Sequence, residues 1–150
     1  MARKKKIEIQ LLLVELEEEN YHIVVESVFP NGEEGIWIVD TGASRSVFDK
    51  NLTQFYEPIT TENMEIQSAG IGDSQIDALP GLIPSISFGE LRLKDFIVAL
   101  IDLKHVNDIY SKFSDYKILG LIWSDFLMKY KAEINYKELI LRVRRKKKKR

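Results

Sequence analysis

The feature that most narrows the folds open to this chain is Ile36-Trp37-Ile38-Val39-Asp40-Thr41-Gly42-Ala43-Ser44, where four large apolar or β-branched residues run straight into Asp-Thr-Gly-Ala-Ser. It reads as a buried strand that delivers a carboxylate into a tight loop. Gly42 permits backbone angles and a close approach that a side chain forbids, while the Thr41 and Ser44 hydroxyls can hold neighbouring backbone or carboxylate groups. A plainer reading stays open: an Asx-turn that closes an ordinary strand, with Asp40 accepting backbone N–H bonds.

The rest of the chain reads as short strands. Lys6 to Glu17 alternates imperfectly between apolar and polar residues, which predicts a first strand with one buried face, a helix being the alternative. Tyr21 to Phe29 is β-branched and aromatic, and the turn formers Pro30-Asn31-Gly32-Glu33-Glu34-Gly35 separate it from Ile36, so a hairpin carries Asp40 on its second arm. Ser46-Val47-Phe48 continues as a short strand, and Asp49 to Tyr56 forms a helical turn. Met64 to Gln67 and Ser74 to Leu79 flank Ser68-Ala69-Gly70-Ile71-Gly72-Asp73, a mobile hairpin with a glycine-bearing tip. Beyond Pro80-Gly81 and Pro84, three strands are expected at Ile86 to Phe88, Leu91 to Leu93 and Phe96 to Leu103, separated by Gly89-Glu90 and Lys94-Asp95.

His105 to Phe113 predicts a short helix whose stripe Val106, Ile109, Tyr110 and Phe113 packs on the core. Ser124 would cap a second helix over Asp125 to Tyr130, and Glu133 to Tyr136 with Glu138 to Val143 would form the closing strands. Short strands with turn signals about every eight to twelve residues indicate an all-β sandwich or barrel.

With 150 residues and 45% hydrophobic content, the chain has material for one core. It divides into a basic N-terminal segment with the first strand (1–20), a main domain (21–143) and a basic C-terminal tail (144–150) expected to be disordered and solvated. The formal net charge of −1 conceals segregation: Arg3 to Lys6 and Arg142 to Arg150 are basic, whereas Glu15 and Glu17 to Glu19 are acidic. The absence of cysteine excludes disulfides, thiolate metal sites and cysteine nucleophiles. His22 and His105 are too few and too far apart for a metal cage, so neither metal nor cofactor is expected.

The apolar run Leu11 to Val14, bracketed by Glu8, Gln10 and Glu15, is too short and too charged for an export signal. No stretch approaches the ~20 apolar residues of a membrane span. A soluble cytoplasmic protein without a membrane partner is the expectation. The basic ends read as solubilising tails rather than a nucleic-acid surface, because no aromatic–basic interleaving accompanies them.

The apolar run followed by Asp40-Thr41-Gly42-Ala43-Ser44 resembles the active-site loop of aspartic proteases, and in a chain this short, of the retroviral-type (retropepsin-like) branch. A second element of that family is matched by Leu121-Ile122-Trp123-Ser124-Asp125-Phe126-Leu127, with Trp123 standing where the family has glycine. A register three residues earlier, Ile118-Leu119-Gly120, restores the glycine but misaligns the helix start. The resemblance implies an all-β, closed-barrel acid protease fold with one or two short helices and an active site at a homodimer interface. It also implies a flap, here Ala69, Gly70, Ile71 and Gly72, closing over an extended peptide substrate.

Carboxylate-catalysed peptide hydrolysis needs two acids within a few ångströms that share one proton. The chain has one Asp-Thr-Gly and no second copy, so the resemblance implies that each protomer of a homodimer supplies one Asp40. Thr41 and Gly42 brace the loop, and Gly120, Leu121, Ile122 and Trp123 form the second loop. The terminal strands Ile7 to Leu13 and Leu139 to Val143 are expected to pair across the dimer. Ala43, where some members of the family carry a serine whose hydroxyl stabilises the ionised carboxylate, implies an activity optimum in the mildly acidic to neutral range. The alternative is a protein of the same fold with impaired catalysis, serving as a peptide-binding or dimerisation module.

Overall fold

A computed structural model describes residues 4–42, 45–59 and 78–146. Ten strands and two short helices follow in the order β1 (Lys4–Glu17), β2 (Asn20–Val28), β3 (Glu34–Val39), β4 (Val47–Asp49), β5 (Glu57–Pro58), β6 (Leu79–Phe88), β7 (Leu91–Ile101), α1 (Lys104–Ser111), β8 (Ile118–Ile122), α2 (Ser124–Lys129), β9 (Glu133–Asn135) and β10 (Ile140–Lys146). A single 3-10 turn, Thr53–Phe55, sits between β4 and β5.

The strands lie in the order β5-β6-β7-β4-β8-β3-β2-β1-β10-β9, and a further β6–β2 pairing at Val28 and Ser87 brings β6 back to β2. Strands β2, β3, β8, β4, β7 and β6 thereby close on themselves as a barrel. Closure removes most free edges of a twisted sheet.

Strand β3 shows why the apolar run does not alternate. Trp37 points into the barrel against Phe48, Phe88 and Phe96, while Ile36 and Ile38 point outward into a second apolar cluster with Val24, Val47, Tyr110 and Ile118. A strand covered on both faces reads as continuous hydrophobicity. The Trp37 indole N–H donates to Ser27 Oγ at 3.0 Å, which satisfies its one polar atom in the interior. The β2–β3 hairpin turns at Gly32, with φ +93, a region that glycine enters without a Cβ penalty.

Strand β1 changes partner midway. Leu11 to Glu17 pair with β2, and Lys4 to Gln10 pair with β10. Its odd-numbered residues Ile7, Ile9 and Leu11 enter the barrel core, whereas Val14 and Leu16 belong to the outer cluster. That handover accounts for the imperfect alternation.

Several expectations change. Leu91 to Leu93 and Phe96 to Ile101 are one strand, because Lys94-Asp95 does not turn: Asp95 takes a left-handed conformation, φ 54, that a short polar side chain tolerates, and pairing with β6 resumes on both sides. Pro80, Gly81 and Pro84 lie inside β6 rather than ending it. Residues Arg144 to Lys146 are strand, register-paired with Lys6 to Lys4, rather than tail. The terminal strands β1 and β10 pair with each other within one chain. Along α1 the helical stripe is only half core: Tyr110 is buried and Val106 partly so, while Ile109 and the following Phe113 are exposed. Helix α2 starts at Ser124, with Trp123 in the N-cap position.

Candidate active site

The site forms where two strands end side by side. Strand β3 runs parallel to β8, with Val39 opposite Ile122, so the residues that follow them, Asp40 and Trp123, emerge at the same end of the barrel. The Asp40 N–H donates to Ile122 O at 2.9 Å, which extends the ladder by one bond and fixes the backbone that carries the carboxylate. The Gly42 N–H donates to Asp40 Oδ1 at 2.9 Å. A carboxylate held by one oxygen on a backbone donor is aimed rather than free. Asp40 is half-buried, while Thr41 and Gly42 are exposed. Ala43 and Ser44, and the flap positions Ala69, Gly70, Ile71 and Gly72, lie outside the described residues.

Ser46 ties the two loops together and was missed in the sequence. It is fully buried at 0% exposure. Its N–H donates to both carboxylate oxygens of Asp125 at 3.1 and 3.0 Å, and its hydroxyl donates to Asp125 Oδ1 at 2.8 Å. The same hydroxyl accepts the Trp123 N–H at 3.0 Å, and Ser46 O accepts from Ala99 N. Every polar atom of Ser46 is thereby used. A buried serine soon after an aspartate-bearing loop, matched by a carboxylate in a helix's first turn, was the available signal; neither residue is informative without knowing that they meet.

The second loop shows why two registers competed. Gly120 lies within β8, and a Cβ there would sit 2.1 Å from Val47 O and 2.6 Å from the Trp37 ring, so glycine is required for β8 to pass between β3 and β4. A bulge places the extra residue Leu119 between the pairs Ile36–Ile118 and Trp37–Gly120. Leu121 and Ile122 complete the strand, and Trp123 stands at the junction with α2, the position nearest Asp40 by register. Trp123 is half-buried and packs against the outer apolar cluster. Its indole N–H is buried and has no hydrogen-bond partner among the described residues. The tryptophan is therefore part of the wall beside the loop, not an inserted plug in the strand.

Helix α1 supports this arrangement from outside the barrel. Asn107 clamps the first residue of β8, donating from Nδ2 to Ile118 O at 3.0 Å and accepting from Ile118 N at 2.8 Å. The Tyr110 hydroxyl shares a hydrogen bond with His22 Nδ1, and burial pushes its pKa up to about 12. His22 is thus a structural partner, and His105 is exposed. No group of three or more metal-ligating side chains occurs among the described residues. No helix among them is long and apolar enough to cross a membrane.

Comparison with known proteins places these features. The solved structure of a retropepsin-like aspartic protease from Rickettsia conorii superposes with a TM-score of 0.51 at 17% identity, covering 99% of this chain and 97% of that one. The fold is therefore the retropepsin-like closed barrel. No curated protein matches by sequence. A family model described as aspartyl protease matches residues 25–121, from the middle of β2 through Asp40 to Leu121, and the chain belongs to that family.

Proposed function

We propose that the protein is an aspartic endopeptidase that acts as a homodimer, with one Asp40 from each protomer. The observation that carries this reading is the placement of a single half-buried Asp40 at the open end of the barrel, its backbone locked to Ile122 and one oxygen held by Gly42. Two such carboxylates brought together at a two-fold axis cannot both ionise and so share a proton. The ionised member takes a proton from a water molecule as that water attacks the peptide carbonyl, while the protonated member hydrogen-bonds the carbonyl oxygen. An extended peptide would be gripped by strand addition, with apolar pockets selecting alternate side chains.

The decisive experiment compares wild type with Asp40→Asn in a peptide-library digest and in sedimentation. Cleavage should vanish while the dimer persists. A wild type that remains monomeric with substrate present, or an Asp40→Asn variant that still cleaves, would overturn the reading.

Trp123 favours a second reading, in which the same fold binds peptides or dimerises without efficient hydrolysis. It follows Ile122 at the strand end beside Asp40, at the position where the resemblance puts glycine. In that case Asp40→Asn leaves peptide binding unchanged and the wild type shows no cleavage to lose.

A further inference from the structure

Beyond the last buried pair of the β1–β10 ladder, Ile7 opposite Val143, three successive register pairs are all cationic: Lys6 with Arg144, Lys5 with Arg145, and Lys4 with Lys146. Like charges placed directly opposite each other destabilise a ladder. Farther back, the next cation is treated differently: Arg142 is paired with Glu8 at 2.8 Å and Glu133 at 3.2 Å. Among the described residues no carboxylate pairs with Lys5, Lys6, Arg144 or Arg145. Arg145 instead donates to Arg92 O at 3.4 Å, beside a further exposed cation, Lys94. Residues 4–6 and 144–146 hold six of the chain's 22 lysines and arginines, and the register brings the two segments to one place. A two-stranded ribbon of successive cationic register pairs, with no carboxylate paired to Lys5, Lys6, Arg144 or Arg145 among the described residues, is organised to meet an external polyanion.

We propose that this ribbon binds double-stranded DNA through its phosphate backbone, without regard to sequence. A pair of strands about 4.8 Å apart, with side chains on each face, fits the ~12 Å major groove and lies between two rows of phosphates. An anionic bilayer is a weaker fit, because cation-driven membrane docking is made stable by a second, apolar signal. None of the exposed large apolar side chains lies in residues 4–7, 88–94 or 141–146. The strand pairing is what separates this inference from the sequence reading of two loose solubilising tails. The ribbon is also outside the residues matched by the family model.

The test uses the full chain and a fluorescent mixed-sequence duplex of about 24 base pairs, read by anisotropy between about 50 and 200 mM salt. With roughly six phosphates neutralised, the slope of log K against log salt should be about −5, a loss near 10³-fold across that range. Removing four charges with Lys5→Gln, Lys6→Gln, Arg144→Gln and Arg145→Gln together should flatten the slope by about three to four. The variant should melt at the wild-type temperature or above, since repulsion has been relieved; Lys6→Gln alone should lower the slope by about one. Absence of binding at the lowest salt, unchanged binding by the fourfold variant, or equal binding to phosphatidylserine vesicles would each overturn the proposal. Peptide cleavage is scored separately, so failure here leaves the proteolytic reading untouched, and the converse holds.

Discussion

Asp40 and Ser46 divide the work of the site between chemistry and position. Asp40→Asn keeps the Oδ1 acceptor for Gly42 but removes the shared proton, and cleavage should fall by on the order of 10⁴-fold with no loss of folding, checked by peptide hydrolysis and circular dichroism. Ser46→Ala removes the only described acceptor of the Trp123 N–H and one donor to Asp125. It should cost about 1–3 kcal/mol in urea unfolding and lower kcat through the displaced loop, whereas Ser46→Thr keeps the hydroxyl and should recover part of the stability. The Asp40 loop was readable because an apolar run ending in Asp-Thr-Gly has few other uses. Ser46 and Asp125 were not, since they are 79 residues apart and common in loops and helix starts. Gly120 was readable as a glycine with a purpose, but that purpose, passage beneath Val47 and Trp37, belongs to the strand and not to the loop.

At the level of elements, β8 and α1 set the tolerance of the barrel. Gly120→Ala drives a methyl against the Val47 carbonyl, and backbone cannot yield as a side-chain tip does; the expected result is destabilisation of at least ~3 kcal/mol, or loss of soluble protein on expression. Helix α1 contributes a pH dependence. The Tyr110 phenol is held neutral in the fold, with its pKa raised to about 12 from an unfolded value near 10. Between those values the unfolded chain has released the proton and the folded one has kept it, so this contribution is complete below pH 10 and is lost as pH rises toward 12. Melting temperature should therefore decline across that window, and Tyr110→Phe should flatten the decline while costing His22 its partner. Strand existence was legible from residue pattern nearly throughout. Where β7 was split in two, the error came from reading Lys94-Asp95 as a turn when one residue's left-handed conformation absorbs it inside a continuing ladder.

For the whole molecule, the register fixes which ends face which way. Strand β2 sets Val14 opposite His22, and the β2–β3 ladder brings His22 level with Asp40, so the acidic β1–β2 hairpin lies at the Asp40 end. Lys6 lies eight residues back along β1, up to ~26 Å along the strand, and its ribbon reaches Arg92 beyond the β6–β7 turn. Deleting residues 147–150 should leave sedimentation and cleavage unchanged, and a shift in either would place the tail at the protomer contact. One practical outcome follows from Lys4 and Lys146 sitting side by side on the far rim. A fluorophore carried at either of these two positions would report from the same corner, two residues beyond Lys6 along the strand from the level of Asp40.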